Sequence, residues 1–194
     1  MEVSAIFRLG CLLKIVIILI VLTIIFGGLF NSEWFLKIFY PQPHQEIVKD
    51  AAIKYNVDYY LILAVMKVES KFDSQAQSTK GARGLMQIMP DTAQWIATKE
   101  LSLKEFQQDM LFEPQYNIPI GTWYLNYLVK QFKGNTIAAV AAYNGGETNV
   151  KKWLANGIWS GSFNDLKDIP FKETRNYVYK VIMDYNTYQS LYVK

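Results

Sequence analysis

No charged side chain falls between Ile15 and Phe30, and Lys14 is the lone charge from Cys11 to Phe30. Such a run is not the surface of a water-soluble domain, so it sets the first part of the chain apart from whatever follows. As a helix rising about 1.5 Å per residue, Leu12 to Phe30 spans roughly 28 Å, close to a hydrocarbon core of about 30 Å. Lys14 can snorkel to the headgroups at one end, and Trp34, Phe35 and Tyr40 follow at the other, as interfacial aromatics do. Arg8, Lys14 and the amino terminus precede the run, partly offset by Glu2, against Glu33 and Lys37 after it. This bias predicts a cytoplasmic N-terminus and an exported C-terminal part. A cleavable signal peptide is the competing reading, but no small-x-small site clearly follows Phe30. The expected organisation is a short N-terminus over 1–10, an anchor over 11–30, a stalk over 31–43 closed by Pro41 and Pro43, and one domain over 44–194.

Cys11 is the only cysteine and His44 the only histidine, which removes Ser-His-Asp and Cys-His hydrolases, zinc fingers and HExxH metalloproteases at once. A lipid-modified cysteine is not indicated, because the apolar stretch follows Cys11 instead of preceding it. Net charge is a mild +3 with no basic stripe, so nucleic acid is not an expected partner. Chemistry here must come from carboxylates, tyrosines, amides or backbone, and neither a metal nor a cofactor is expected.

Helical periodicity dominates the rest. His44 to Tyr55 puts Ile47, Val48, Ala51, Ala52 and Tyr55 on one stripe, Asn56 breaks it, and Asp58 is positioned to cap the next helix. A short helix opens after Pro90. Asn117 to Phe132 aligns Ile120, Tyr124, Leu125 and Leu128; Thr136 to Tyr143 is compact and Ala-rich; Val150 to Leu154 continues past Gly145-Gly146; and Glu173 to Tyr188 aligns Val178, Val181, Ile182 and Tyr185. Strand-like alternation is absent over any useful length. The expectation is a mainly α domain of about 150 residues, enough for a proper core.

Glu69 ends the apolar run Tyr59 to Val68 and is followed by ESKF and GARGLMQIMP. A carboxyl leaving a buried helix toward a Gly-punctuated, nearly uncharged segment has its neutral form favoured, and the carbonyl end of the helix pushes the same way. That suits a general acid acting on a neutral substrate. A solvated Glu at a helix end is the alternative.

Three segments stand out: ESKFDSQAQSTKGARGLMQIMP at Glu69 to Pro90, AAYNGGETNVKKW at Ala141 to Trp153, and IPFKETRNYVYKV at Ile169 to Val181. With FEPQYNIPIGTWYL at Phe112 to Leu125, in this order from about Pro41 onward, they resemble the soluble lytic transglycosylase family. The resemblance implies a lysozyme-like helical domain acting on bacterial peptidoglycan, with Glu69 as sole catalytic acid and base. It implies that Ser78 lies near the reacting sugar and its acetamido group, where a turn serine is the alternative. Met86 and Gln87 would line the cleft, and Gly81 and Gly84 would turn the backbone sharply or let it approach a sugar. Tyr143 and Asn144 would bind substrate, Tyr143 also hydrogen-bonding near the catalytic carboxyl unless it is simply a buried tyrosine. Glu173 would lie in the substrate cleft, with an ion pair to Arg175 or a lysine as its alternative. Tyr177, one turn on, either walls the cleft or packs the core. Leu85, Ile88 and Met89 read as core.

Several positions depart from the family pattern: Ser74 for proline, Glu113 for aspartate, Gly145 for alanine and Glu147 for proline. None removes a chemical group; they bear on loop rigidity and subsite preference. The implied function is that of a membrane-anchored peptidoglycan lytic transglycosylase. The implied setting is a single pass of the bacterial cytoplasmic membrane with the domain outside, or a secreted protein if the segment is cleaved. The expected partners are glycan strands and the membrane, and no protein partner is indicated. A hydrolytic muramidase on the same scaffold and a non-catalytic wall-binding module are the alternatives.

Overall fold

The computed structural model describes residues 14–23, 27–28, 33–99 and 105–193. The chain divides into two compact units, Met1–Pro41 and Gln42–Lys194. In the first, helix α1 covers 14–23 and leaves Ile15 through Leu22 about half exposed. Helix α2 (Glu33–Phe39) buries no residue, and Trp34 stands well into solvent. Among the described residues no helix is long and apolar enough to cross a membrane. Of the run expected as an anchor over 11–30, residues 11–13, 24–26 and 29–30, with all of 1–10, lie outside the described residues.

The second unit is helical. Helix α3 (Gln45–Tyr55) ends where Asn56 adopts a left-handed conformation (φ 53°) and its N–H reaches the carbonyls of Ala52 and Ile53, a stop that Asn tolerates better than most residues. Asp58 then caps α4 (Tyr59–Ser70), its carboxylate accepting from the N–H groups of Tyr60 at 2.8 Å and Leu61 at 3.3 Å. Every residue from Leu61 to Met66 is buried, so α4 is apolar all round and must be covered on several sides. Helix α9 (Lys172–Tyr192) packs along it, and α3 and α7 (Thr136–Gly145) complete the surroundings through α6 (Pro114–Gln131). The run Ala138 to Ala142 is wholly buried, its small side chains letting α6, α8 (Glu147–Ala155) and α9 come close to α7.

Most differences from the expected elements are at their ends. α6 begins at Pro114, because a proline at the first turn forfeits an N–H that would be unpaired anyway. On α9 the buried stripe runs through Thr174, Tyr177, Val178, Val181, Ile182, Tyr188 and Leu191; Tyr185, expected on that face, is only half-buried. Two 3-10 turns, Gln108–Phe112 and Phe163–Asp168, had no periodic signal. Among the described residues, β structure is limited to the isolated bridges Gln77–Arg83 and Arg83–Ile88. Both lie in the segment between α4 and α5 (Pro90–Lys99), which carries the site.

Candidate active site

Glu69 occupies the last turn of α4, and the chain leaves the helix through two successive left-handed residues, Lys71 (φ 54°) and Phe72 (φ 68°). From there residues 73–89 fold into a compact loop tied to itself. Ser78 N donates to Ala82 O at 2.9 Å, while the Ser78 hydroxyl oxygen accepts from Ala82 N at 3.0 Å. Gly81 closes that turn at φ 90°. Arg83 and Ile88 pair in both directions, at 3.0 and 3.1 Å. Gln87 holds φ 47°, a strained value for a residue with a side chain. It is held there by its own amide, whose nitrogen donates to Ala76 O and Gly84 O, both at 2.9 Å.

Three helices grip this loop from behind. From α4, the Ser70 hydroxyl reaches Leu85 O at 2.8 Å. From α6, the fully buried Asn117 accepts from Met86 N at 2.8 Å and donates to Arg83 O at 2.9 Å and Leu111 O at 2.8 Å. From α7, the Tyr143 hydroxyl donates to Met86 O at 2.9 Å. Gly84 (φ 74°) is the point of closest approach: a side-chain carbon there would collide with Leu111 O and the Asn117 amide.

Glu69 is partly buried in this setting, and its carboxyl is raised from the usual range to about 7. Desolvation is the main cause; the negative charge of Glu173 adds to it, and the hydroxyl of Tyr177 works against it. Tyr177 is buried, and its hydroxyl closes no bond of full hydrogen-bond geometry among the described residues. Its interaction with Glu69 is therefore a loose one, left to tighten when the carboxyl carries charge. Burial, and secondarily the Glu69 charge, push the phenols of Tyr143 and Tyr177 well above their ordinary range, so both stay neutral donors.

The residues expected at a site are distributed unevenly. Glu69 and Tyr143 come together, with Tyr177 as the third member; sequence reasoning had left Tyr177 open between cleft and core. Gln87, Tyr143 and Asn144 share the wall of a cavity of about 230 Å³, with Met89, Thr92 and Tyr124; Glu69 is not part of that wall. Asn144 is fixed by the Thr174 hydroxyl, which donates to its Oδ1 at 2.8 Å. A Cβ at Gly145 would press on that same threonine, so glycine lets the two segments approach closely. Ser78 is half-buried, with its oxygen engaged in the turn but its proton free to donate elsewhere.

Met86 differs from expectation. Its side chain has no exposure and packs into the space left by Gly121, so only its backbone faces the site, through Tyr143. Met89, expected in the core, is instead exposed. Glu173 is largely solvent-exposed and sits 3.9 Å from an equally exposed lysine, Lys80, instead of Arg175. Such a surface pair is worth about 1 kcal/mol or less. Asn117, Ser70 and Thr174 were not anticipated as site residues. Asn117 does lie inside FEPQYNIPIGTWYL, but a buried amide that braces a distant loop has no periodic signature.

A helical domain that sets one isolated carboxyl near neutrality, with neutral phenols beside it, is of the lysozyme-like class. The chain belongs to the transglycosylase SLT domain family, whose model matches residues 46–165. It is 42% identical over 130 residues to a soluble lytic murein transglycosylase of Salmonella typhimurium, covering 65% of this chain and 20% of that one. It is 34% identical over 156 residues to a membrane-bound lytic murein transglycosylase C of Photorhabdus laumondii, covering 70% and 43% respectively. The crystal structure of the 70 kDa soluble lytic transglycosylase from Escherichia coli matches with a TM-score of 0.77 at 33% identity, over 82% of this chain and 26% of that one. A complex of a 70 kDa soluble lytic transglycosylase with bulgecin A matches with a TM-score of 0.75 at 32% identity, over 82% and 26%. The chain thus spans from a fifth to under half the length of these relatives.

Proposed function

We propose that this protein is a peptidoglycan lytic transglycosylase that cuts the β-1,4 bond between N-acetylmuramic acid and N-acetylglucosamine. The observation that carries the reading is Glu69, one buried carboxyl raised to about 7, while Glu173, the other carboxyl felt there, stands in solvent. Ordinary glycosidases flank the bond with two carboxylates; a single acid suffices when the nucleophile belongs to the substrate. Protonated Glu69 gives its proton to the glycosidic oxygen as the bond from the muramyl anomeric carbon breaks. The resulting carboxylate then takes the proton of the muramyl 6-hydroxyl as that oxygen bonds to the same carbon, helped by the 2-acetamido group. The product is a 1,6-anhydro sugar, no water is consumed, and Glu69 ends protonated as it began. A tethered hydroxyl has a large effective molarity, so proton transfer and positioning are what remain for the protein. Tyr177 and Tyr143, as neutral phenols, steady the carboxylate between the two steps, and Ser78, Gln87, Asn144 and Glu173 hold the strand.

The relatives named as lytic murein transglycosylases agree with this reading. The uncharged run after Lys14, the exposed apolar side chains of α1 and α2, and a relative named as membrane-bound favour anchoring to the bacterial cytoplasmic membrane with the domain outside. Mass spectrometry of sacculi digested by the full-length protein tests the reaction. Products lighter by one water and lacking a reducing end are expected; reducing muramyl ends alone would make the enzyme a hydrolytic muramidase, and no products at all a wall-binding module.

The pH profile follows from the raised acid. The chemistry starts from protonated Glu69, so kcat should hold below about pH 7 and fall about tenfold for each unit above it. A rate unchanged from pH 6 to 9 would remove Glu69 from the proton-donor role.

A further inference from the structure

The cavity beside Tyr143 is walled by Thr92 of α5 and Tyr124 of α6. One turn further along each helix stand Trp95 and Tyr127, with ring centroids 5.3 Å apart. Trp123 completes the cluster, 5.3 Å from Trp95 and stacked on Tyr127 at 5.6 Å with the planes 11° apart. The rings continue inward without a break: Tyr127 stacks on Tyr124 at 6.2 Å, and Tyr124 leans on Tyr143 at 5.5 Å. All five are half-buried, so each shows part of a face or edge. Polar groups border the outer end: Glu147 interacts with the Tyr127 hydroxyl, and Lys151 pairs with Glu147 and donates to Gln131 Oε1 at 2.9 Å.

A structural core would bury these rings completely, and a protein interface would not begin at a catalytic tyrosine. Pyranose rings fit better. Their axial C–H groups carry slight positive charge and settle on the negative face of an aromatic ring, while their equatorial hydroxyls and acetamides need hydrogen-bonding groups at the edge. We propose that Trp95 and Trp123, with Tyr127 packed against both, form a sugar-stacking subsite that extends the cleft beyond the Tyr124–Tyr143 cavity and binds a more distant residue of the same glycan strand. This rests on the glycan-cleaving reading above. It makes strand length a determinant of affinity.

The test uses the full-length Glu69→Gln chain in detergent micelles, titrated calorimetrically with β-1,4-linked N-acetylglucosamine trimer and hexamer. The hexamer is expected to bind about tenfold tighter than the trimer, the scale that stacking on one or two rings supplies. Adding Trp95→Ala and Trp123→Ala should bring the hexamer down to the trimer's affinity, and Trp95→Phe should keep most of the advantage. A hexamer preference that survives the paired alanines overturns the subsite while leaving the catalytic reading intact. Binding of neither oligomer by the Glu69→Gln chain overturns the subsite, and the sacculus digest above decides the catalytic reading separately. Should the paired alanines unfold the chain, tryptophan fluorescence decides instead: hexamer but not trimer should perturb emission, and Trp95→Phe with Trp123→Phe should remove that response. A response that persists in the Phe pair refutes the assignment.

Discussion

Glu69→Gln is expected to lower kcat on isolated peptidoglycan by at least about a thousandfold while the protein still binds sacculi. General acid–base transfer by one group is worth about 10²–10⁴-fold, and here the same group serves both steps. Glutamine keeps the shape and hydrogen-bonding capacity of the side chain but has no proton to give. A loss of binding in parallel with activity would mean that the change had disturbed the cleft, and residual lysis within tenfold of the parent would mean that the acid lies elsewhere. The substitution should also change stability with a definite sign. Because the folded carboxyl titrates near 7 instead of 4.5, the native chain holds a proton that the unfolded chain has released at any pH between these values. Stability is therefore greatest below the lower value and falls as pH rises through 7, by a total on the order of 3 kcal/mol. The Gln variant has no such slope. At pH 8 it should melt higher than the parent, and at pH 4 the two should converge; a parent that gains stability from pH 5 to 8 relative to the variant would contradict the buried acid.

Asn117→Ala should produce a large loss of stability in the unit Gln42–Lys194. One side chain pairs with Met86 N, Arg83 O and Leu111 O, and its removal strands Met86 N and Leu111 O while Arg83 O keeps the N–H of Ile88. Each stranded buried group costs about 1–3 kcal/mol, some of it recovered if water enters the space. A net destabilisation of about 2–4 kcal/mol is expected, or roughly 5–15 °C in Tm for a chain of this size. Activity should fall even at temperatures where the variant is folded, because Met86 O is also the acceptor for Tyr143. Asn117→Asp discriminates the geometry: its carboxylate can still accept from Met86 N but faces two carbonyl oxygens, so it should be no better than alanine. Either variant melting within 2 °C of the parent would show that the loop is held by other contacts.

Gly84 belongs to the same arrangement, and it illustrates what a sequence can and cannot convey. Its glycine marks a place where backbone must turn or be approached, which the GxxG spacing suggests. That the approaching groups are Leu111 O and Asn117 follows only from the fold. Met86 was misjudged for a related reason. It sits between Leu85 and Gln87 in a segment that faces the site with its backbone, and which way its side chain turns depends on the gap at Gly121 on a different helix. Glu173 stands at the solvent edge and acts on Glu69 through its charge, a position that its motif alone does not convey.

What the sequence determined by itself is what short-range physics decides: Asn56 ending α3, Asp58 starting α4, an all-apolar helix that had to be central, and an acid at its end. Caps, breakers and helical stripes act over a few residues, so they are written where they act. The tertiary structure alone decided how far the Glu69 carboxyl rises, that Tyr177 reaches it, that Asn117 braces the loop, and that Trp95 and Trp123 meet in one aromatic cluster. Each of these depends on groups distant in the chain brought within a few ångströms, where desolvation, sterics and hydrogen-bond geometry vary too steeply for any local pattern to record.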